Sequence, residues 1–402
     1  MEKKWKYLLL FISNVFFFFL CSTKWNAGYS ISAGLAVLVI VWGRFQLNKK
    51  VSFFPTCCIV AYFLFIGGVS LASYLSGDPA SMRVAYKFLA YSIPMWVLFF
   101  LLQRDISILP AIQWGIVAGT NVLNTVVIQE IWKVHAIKRI YGPFASPNHL
   151  AMVMESILPF LLLNTVYLIK NVHRESPARE KVLTVLSIVT SVLAVGAILL
   201  TRSRGGIAGF LLGAVFAFCA LFLNHTHLSG LKKISALALV FVLSGAVVFG
   251  VTVNYLNRKY DPERVLLLTS AYHMWQDHPL YGVGIGRWNE VYRAHYMLKG
   301  AREPKLSLPH NNIANFFSGA GVLGGGGFVL FMLSVLYVLL RALRTQPDNH
   351  YIYAMLWVWI AISVHGMVDN SFFGRYNDRL FFAMLGVALA AIRQGETRLL
   401  KP

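Results

Sequence analysis

The sequence predicts an all-α polytopic membrane protein with about twelve transmembrane helices and one large loop outside the membrane. Three observations predict it. Only 13% of the 402 residues are charged, against 57% hydrophobic, where a soluble chain carries roughly 25% charged residues. Mean hydropathy is +0.62. Apolar runs approaching the roughly 20 residues needed to cross a bilayer recur from end to end, and helices satisfy their own backbone there.

The runs fall at 7–21, 27–42, 53–74, 83–102, 109–130, 148–169, 182–200, 205–223, 234–253, 317–340, 351–368 and 377–392. They divide the chain into residues 1–253 with helices one to nine, a loop at 254–310 carrying short helices, and residues 311–402 with helices ten to twelve and a tail. The first run follows Lys3, Lys4 and Lys6 but lacks a small-residue cleavage site, and so reads as a retained helix. Cys21, Cys57, Cys58 and Cys219 lie in or beside apolar runs without metal-ligand spacing and read as buried small hydrophobes.

The net charge of +20 implies an anionic partner, and topology selects among lipid, nucleic acid and substrate. With the N-terminus in the cytoplasm, short basic connectors such as Arg44–Lys50, Lys170–Lys181 and Lys232–Lys233 obey the positive-inside bias. The opposite face then carries many basic residues that the bias disfavours, and nucleic acid is not expected there. A long loop translocates whatever its charge, which accounts for Arg258, Arg264, Arg287 and Arg293. It does not account for Arg202 and Arg204, which sit in "TRSRGG" on a turn between two spans. Either they snorkel to lipid phosphates or they line a pocket for an anionic group at the membrane surface, where a guanidinium fork binds two oxygens at once.

The loop opens at "YDPERVLLLTSAYHMWQDHPL" with the grammar of a helix start: Asp261 as cap, Pro262 in the first turn, Glu263 at the positive dipole end. Val265, Leu268, Ala271, Tyr272 and Trp275 form an apolar stripe that places this helix on the membrane or against the bundle. Gly282, Gly284 and Gly286 in "YGVGIGRW" lack a strand–turn–helix context and read as a tight turn.

The loop ends in "SLPHNNIANFFSGAGVLGGGG", where His310, beside Asn311, stands at re-entry to the bilayer. A lone histidine is usually structural, but an imidazole at this interface can also take a proton from an attacking hydroxyl near pH 7. In "KRIYGPFASPNHL", Arg139 precedes a Gly142–Pro143 turn, and Asn148 is a helix cap or a substrate contact. Asp369, in "GMVDNSFFGRYND", is a partner for Arg375 or a residue that orients His310. No DxD and no carboxylate cluster falls on this face, so metal independence and no cofactor are expected.

Together "RIYGPFASPN", "TRSRGG", "DHPLYGVGIG" and "PHNNIANFFSGAGVLG" resemble the O-antigen ligase and polymerase superfamily of bacterial inner membranes, from about residue 135 onward. The most specific element is His310–Asn311, nine residues, Gly321, two residues, Gly324. The resemblance implies a GT-C-like membrane enzyme that moves a glycan from undecaprenyl diphosphate to a sugar hydroxyl of lipid A–core on the periplasmic face. It carries the family's essential histidine onto His310, its arginines onto Arg204 and Arg264, and its late acidic residue onto Asp369. Arg139, Arg202, Asn148 and Asn311 join them by proximity as substrate contacts. The implied partners are undecaprenyl-diphosphate-linked O-antigen, the lipid A–core acceptor and membrane lipids. The alternatives are a polymerase of the same superfamily, a protein O-oligosaccharyltransferase, and a transporter, against which the lack of internal repeats speaks.

Overall fold

The computed structural model describes residues 2–23, 25–47, 55–103, 109, 112–133, 138–226, 235, 261–301 and 308–399. The described residues are mostly helical, without a strand. In chain order the helices are α1 (Glu2–Ser22), α2 (Asn26–Leu47), α3 (Thr56–Leu75), α4 (Pro79–Leu102), α5 (Gln113–Lys133), α6 (Pro147–Asn171), α7 (Ala178–Leu200) and α8 (Arg204–His225). Then come α9 (Asp261–Asp277), α10 (Trp288–Val291) with a π-helical turn at Tyr292–Tyr296, α11 (Asn312–Thr345), α12 (His350–His365) and α13 (Arg375–Leu399).

The predicted runs coincide with helices except the one at 234–253, which lies outside the described residues apart from Ser235, as does the predicted boundary at 253–254. Among the described residues seven helices are long and apolar enough to cross a membrane, with two shorter apolar ones. This is a multi-pass membrane protein.

Within a largely apolar core, α7 turns polar side chains inward and apolar ones outward. On α7, Thr184, Ser187, Thr190 and Ser191 are buried while Val185, Val189 and Val192 face outward. The buried hydroxyls bond across helices: Gln113 Nε2 donates to Ser187 Oγ at 3.2 Å and Asn121 Nδ2 to Thr190 Oγ1 at 2.8 Å. In hydrocarbon, polar contacts and small residues, more than apolar burial, hold helices together. Accordingly Gly115 and Gly119 bring α5 onto the α1 backbone, and Gly209 and Gly213 bring α8 onto α12. Cys21 and Cys58 are buried as expected; Cys57 is exposed and Cys219 half-buried, and all four are free thiols.

Helix caps define one end of the bundle. Asp78 caps α4, Ser146 caps α6, Ser203 caps α8 and Asn311 caps α11, each accepting a backbone N–H of the first turn. Asn148 is therefore not the α6 cap. Ser146 takes that position ahead of Pro147, which leaves the Asn148 amide free for tertiary contacts.

At 34 residues α11 would be about 51 Å long as one helix, at roughly 1.5 Å per residue. Gly321 breaks it, with φ 61° and ψ −160°. The break leaves backbone groups of 318–323 without helical partners, and the glycine turn supplies them. Val283 N–H donates to the Ser318 carbonyl at 2.9 Å and Gly284 N–H to that of Gly319 at 3.1 Å. Val322 and Leu323 N–H donate back to the Pro279 and Leu280 carbonyls at 2.8 and 3.2 Å. A Cβ on Gly321 would strike the Leu280 backbone. The expected tight turn is thus also a latch that fixes the loop to the segment carrying His310.

The face of α9 turned to the bundle differs from the expected stripe. Leu267, Ala271 and Met274 are buried with Trp288 and Tyr292, whereas Val265, Leu268 and Tyr272 point outward.

Candidate active site

His310 and Arg202 share an unusual backbone. Both adopt left-handed φ, 51° and 50°, a conformation that costs a residue with a side chain about 1–3 kcal/mol and gathers at functional sites. His310 immediately precedes the cap of α11, so its left-handed turn sends the chain from the loop into the helix.

The imidazole is fixed by Asp369. His310 Nδ1 lies 2.8 Å from Asp369 Oδ1, with the histidine side chain 28% and the carboxylate 14% exposed. A proton on Nδ1 donated to the carboxylate leaves Nε2 as the basic nitrogen. Asp369 also accepts Asn370 N–H at 2.8 Å and Asn148 Nδ2–H at 2.5 Å. Burial would raise the Asp369 carboxyl, but the hydrogen bond and charge of His310 outweigh it and hold it well below the usual carboxylate range. Of the two readings of Asp369, the structure forms the His310 pair; the Arg375 pair is not formed among the described residues.

Asn148 connects this pair to an arginine. Arg139 Nη2 donates to Asn148 Oδ1 at 3.1 Å and its Nε to the Thr201 carbonyl at 2.9 Å, which ties the 138–146 loop to the turn that begins α8. Arg204 stands in the first turn of α8, close enough that burial and then its charge lower the Arg139 guanidinium from its usual value. Two guanidiniums this near repel each other, and an anion between them turns repulsion into attraction. The positive ends of α6 and α8 add to the same field.

The turn 366–371 is the hub, and sequence reasoning missed it apart from Asp369. Gly366 accepts Asn312 N–H at 2.8 Å, Met367 accepts Asn311 Nδ2–H at 3.0 Å, and Val368 accepts Arg264 Nη1–H at 2.6 Å. Ser371 exchanges two bonds with the Asn312 side chain, at 2.6 and 2.9 Å. With the Asn370 amide oriented to satisfy both neighbours, it donates to the Asn311 carbonyl and accepts the His310 N–H. Arg264 on α9, His310 and Asn311 at the start of α11, and Asp369 after α12 are thereby held on one turn. Asn311 is occupied, both as cap and on Met367.

Of the eight residues singled out by sequence, seven belong to this connected cluster: His310, Asp369, Asn148, Arg139, Arg264, Asn311 and, by electrostatic proximity, Arg204. Arg202 does not; its side chain is exposed, and no described group bonds to it. The structure adds two residues that were passed over, Glu155 and His365, paired at 2.9 Å just beneath the cluster. A readable signal existed: each interrupts an apolar run with a titratable group. No group of three or more His, Cys, Asp or Glu suited to a metal occurs among the described residues.

The helical membrane bundle thus gathers a carboxylate-held imidazole and several guanidiniums at one end. Residues 189–329 match the family model described as O-antigen ligase, which supports placing the chain in the O-antigen ligase superfamily and indicates a membrane enzyme of glycosyltransferase kind. The matched region holds Arg202, Arg204, Arg264, His310 and Asn311, whereas Arg139, Asn148 and Asp369 lie outside it and join through the fold. No curated protein matches the chain.

Proposed function

We propose that this protein is an O-antigen ligase. In this reading it transfers a glycan from undecaprenyl diphosphate to a sugar hydroxyl of lipid A–core, at the periplasmic face of a Gram-negative inner membrane. The observation that carries the proposal is the His310–Asp369 pair, joined through Asn148 to Arg139 and accompanied by Arg204 and Arg264. Such a set provides a general base beside a polycationic seat for a diphosphate.

The acceptor hydroxyl oxygen attacks the anomeric carbon of the donor glycan, and its proton passes to His310 Nε2. The bond from that carbon to the diphosphate oxygen breaks, and the diphosphate leaves with the electron pair. Asp369 keeps Nδ1 protonated and stabilises the imidazolium that forms. Arg204, Arg264 and Arg139 take up the charge of the leaving diphosphate, so no metal is required. Arg139 has three N–H donors beyond the two it gives to Asn148 and Thr201. A single displacement inverts the anomeric centre. The driving force travels with the donor, which suits a compartment without ATP.

The experiment is transfer in proteoliposomes with both acceptors present. Glycan on lipid A–core supports the ligase. Longer lipid-linked glycan with untouched core replaces it with the polymerase. Transfer to neither refutes both the ligase and the polymerase.

A further inference from the structure

Glu155 and His365 are the most fully buried titratable pair among the described residues, with side chains 0% and 1% exposed, and the proposed chemistry does not use them. Glu155 Oε2 lies 2.9 Å from His365 Nδ1, while Glu155 Oε1 has no partner. A carboxyl group with an orphaned oxygen inside a membrane bundle is a poor choice for stability, since two apolar side chains of similar volume would pack at least as well. Its place in the fold explains its presence.

Three segments of the candidate site converge on the pair. Glu155 lies two turns below Asn148 on α6. His365 is the last residue of α12, and its carbonyl accepts Val368 N–H at 3.0 Å and Asp369 N–H at 2.9 Å, so it forms the base of the hub turn. The start of α8, which carries Arg204, rests on the pair through bare glycines: a Cβ on Gly205 would come within 2.8 Å of the His365 ring and one on Gly209 within 2.9 Å of Glu155 Oε1.

We propose that Glu155 and His365 are positioning residues for glycan transfer, whose buried bond locks the end of α12 against α6 and the first turn of α8 and so sets Asp369, Asn148 and Arg204 around His310. This inference rests on the transferase reading above. The pair touches no substrate and acts through the segments it joins. Misplacement of reacting groups by remote changes costs up to about 100-fold in rate.

The test compares the Glu155→Leu/His365→Leu double variant and Glu155→Gln with wild type, in proteoliposomes with undecaprenyl-diphosphate glycan and lipid A–core. The double variant replaces the pair by apolar packing, and a monodisperse gel-filtration profile reports its fold. Its kcat should fall about 10- to 100-fold with the donor KM held within about twofold. Glu155→Gln, which keeps an acceptor for the imidazole N–H, should recover most of the rate. Wild-type kcat in the double variant overturns the proposal and leaves the pair as packing. Should the double variant aggregate, Gly205→Ala crowds the His365 ring and Val368 of the hub turn in its stead, and an unchanged kcat with moved His365 ring-nitrogen NMR signals overturns the proposal equally. If wild-type protein transfers nothing, the function reading fails separately. The positioning is then read from the ring-nitrogen NMR signals of His310, assigned with His310→Gln: they should move in the double variant, and signals that stay in place refute the inference.

Discussion

Replacing Asp369 by asparagine tests the site with almost no change of shape. One Asp369 oxygen accepts from His310 Nδ1 at 2.8 Å and from Asn370 N–H at 2.8 Å, and the other accepts from Asn148 Nδ2 at 2.5 Å. An asparagine offers one acceptor and one donor end. With its oxygen toward His310, its amino group meets the Asn148 amide, donor against donor. With the amide turned over, its amino group faces His310 Nδ1 and the Asn370 N–H. That orientation drives the imidazole proton to Nε2, where a base needs a lone pair. Either orientation also removes the negative charge that supports the imidazolium. General base catalysis contributes about 10²–10⁴-fold, so the same loss is expected in kcat, about 2.7–5.4 kcal/mol at 1.36 kcal/mol per decade. The assay is initial rate of glycan transfer by purified variants matched for folded protein. Because His310 and Asp369 act as a unit, the double variant with His310→Ala should be scarcely slower than His310→Ala alone. An Asp369→Asn rate within about threefold of wild type, or losses that multiply in the double variant, would refute the reasoning.

Three further outcomes follow from the same geometry. The Asp369 carboxyl is depressed on folding, so its stabilising contribution is complete above the ordinary carboxyl value of about 3.9 and is lost as pH falls through its lower folded value. The carboxyl carbon NMR signal of Asp369 should therefore remain that of an ionised group from neutral pH down to about 4, and protonation between about pH 5 and 6 would contradict the pairing with His310. Gly321→Ala places a Cβ against the Leu280 backbone at φ 61°, and strain of about 1–3 kcal/mol should lower the melting temperature; an unchanged melting temperature would show that the latch is not under this constraint. Arg204→Ala should cost about 10²–10³-fold in transfer, while Arg202→Ala, which removes an exposed group, should stay within about threefold; equal losses would place Arg202 in the site after all.

Much of the bundle was legible because membrane spans are written in length and apolarity, and each described helix from α1 to α8 falls on a predicted run. The site was legible in its chemistry more than its connections. His310 and Arg204 lie in motifs, Arg264 lies in the helix-start stretch of the loop, and Asp369 reads from sequence as a partner for Arg375 or for His310. Which nitrogen of His310 it would face depends on the hub turn, whose contacts run through backbone carbonyls of Gly366, Met367 and Val368 that no side-chain pattern encodes. Asn148 was assigned a capping alternative because Asn favours caps, but Ser146 one residue ahead of Pro147 wins that position. Arg202 and Arg204 look equivalent in "TRSRGG", yet the left-handed turn at Arg202 leaves one exposed and places the other in the first turn of α8. The apolar stripe of α9 was displaced because an extramembrane helix between bundle and surroundings offers apolar residues on two faces, and spacing does not say which is covered.

The most direct test of the central claim is transfer by purified wild type and His310→Ala with undecaprenyl-diphosphate glycan and lipid A–core, with a chelator present. Chelator-resistant glycosylation of the core by wild type, reduced by about 10²-fold or more in His310→Ala, is the predicted result. Transfer abolished by the chelator, or retained at near wild-type rate without His310, would contradict a metal-independent ligase built on this histidine.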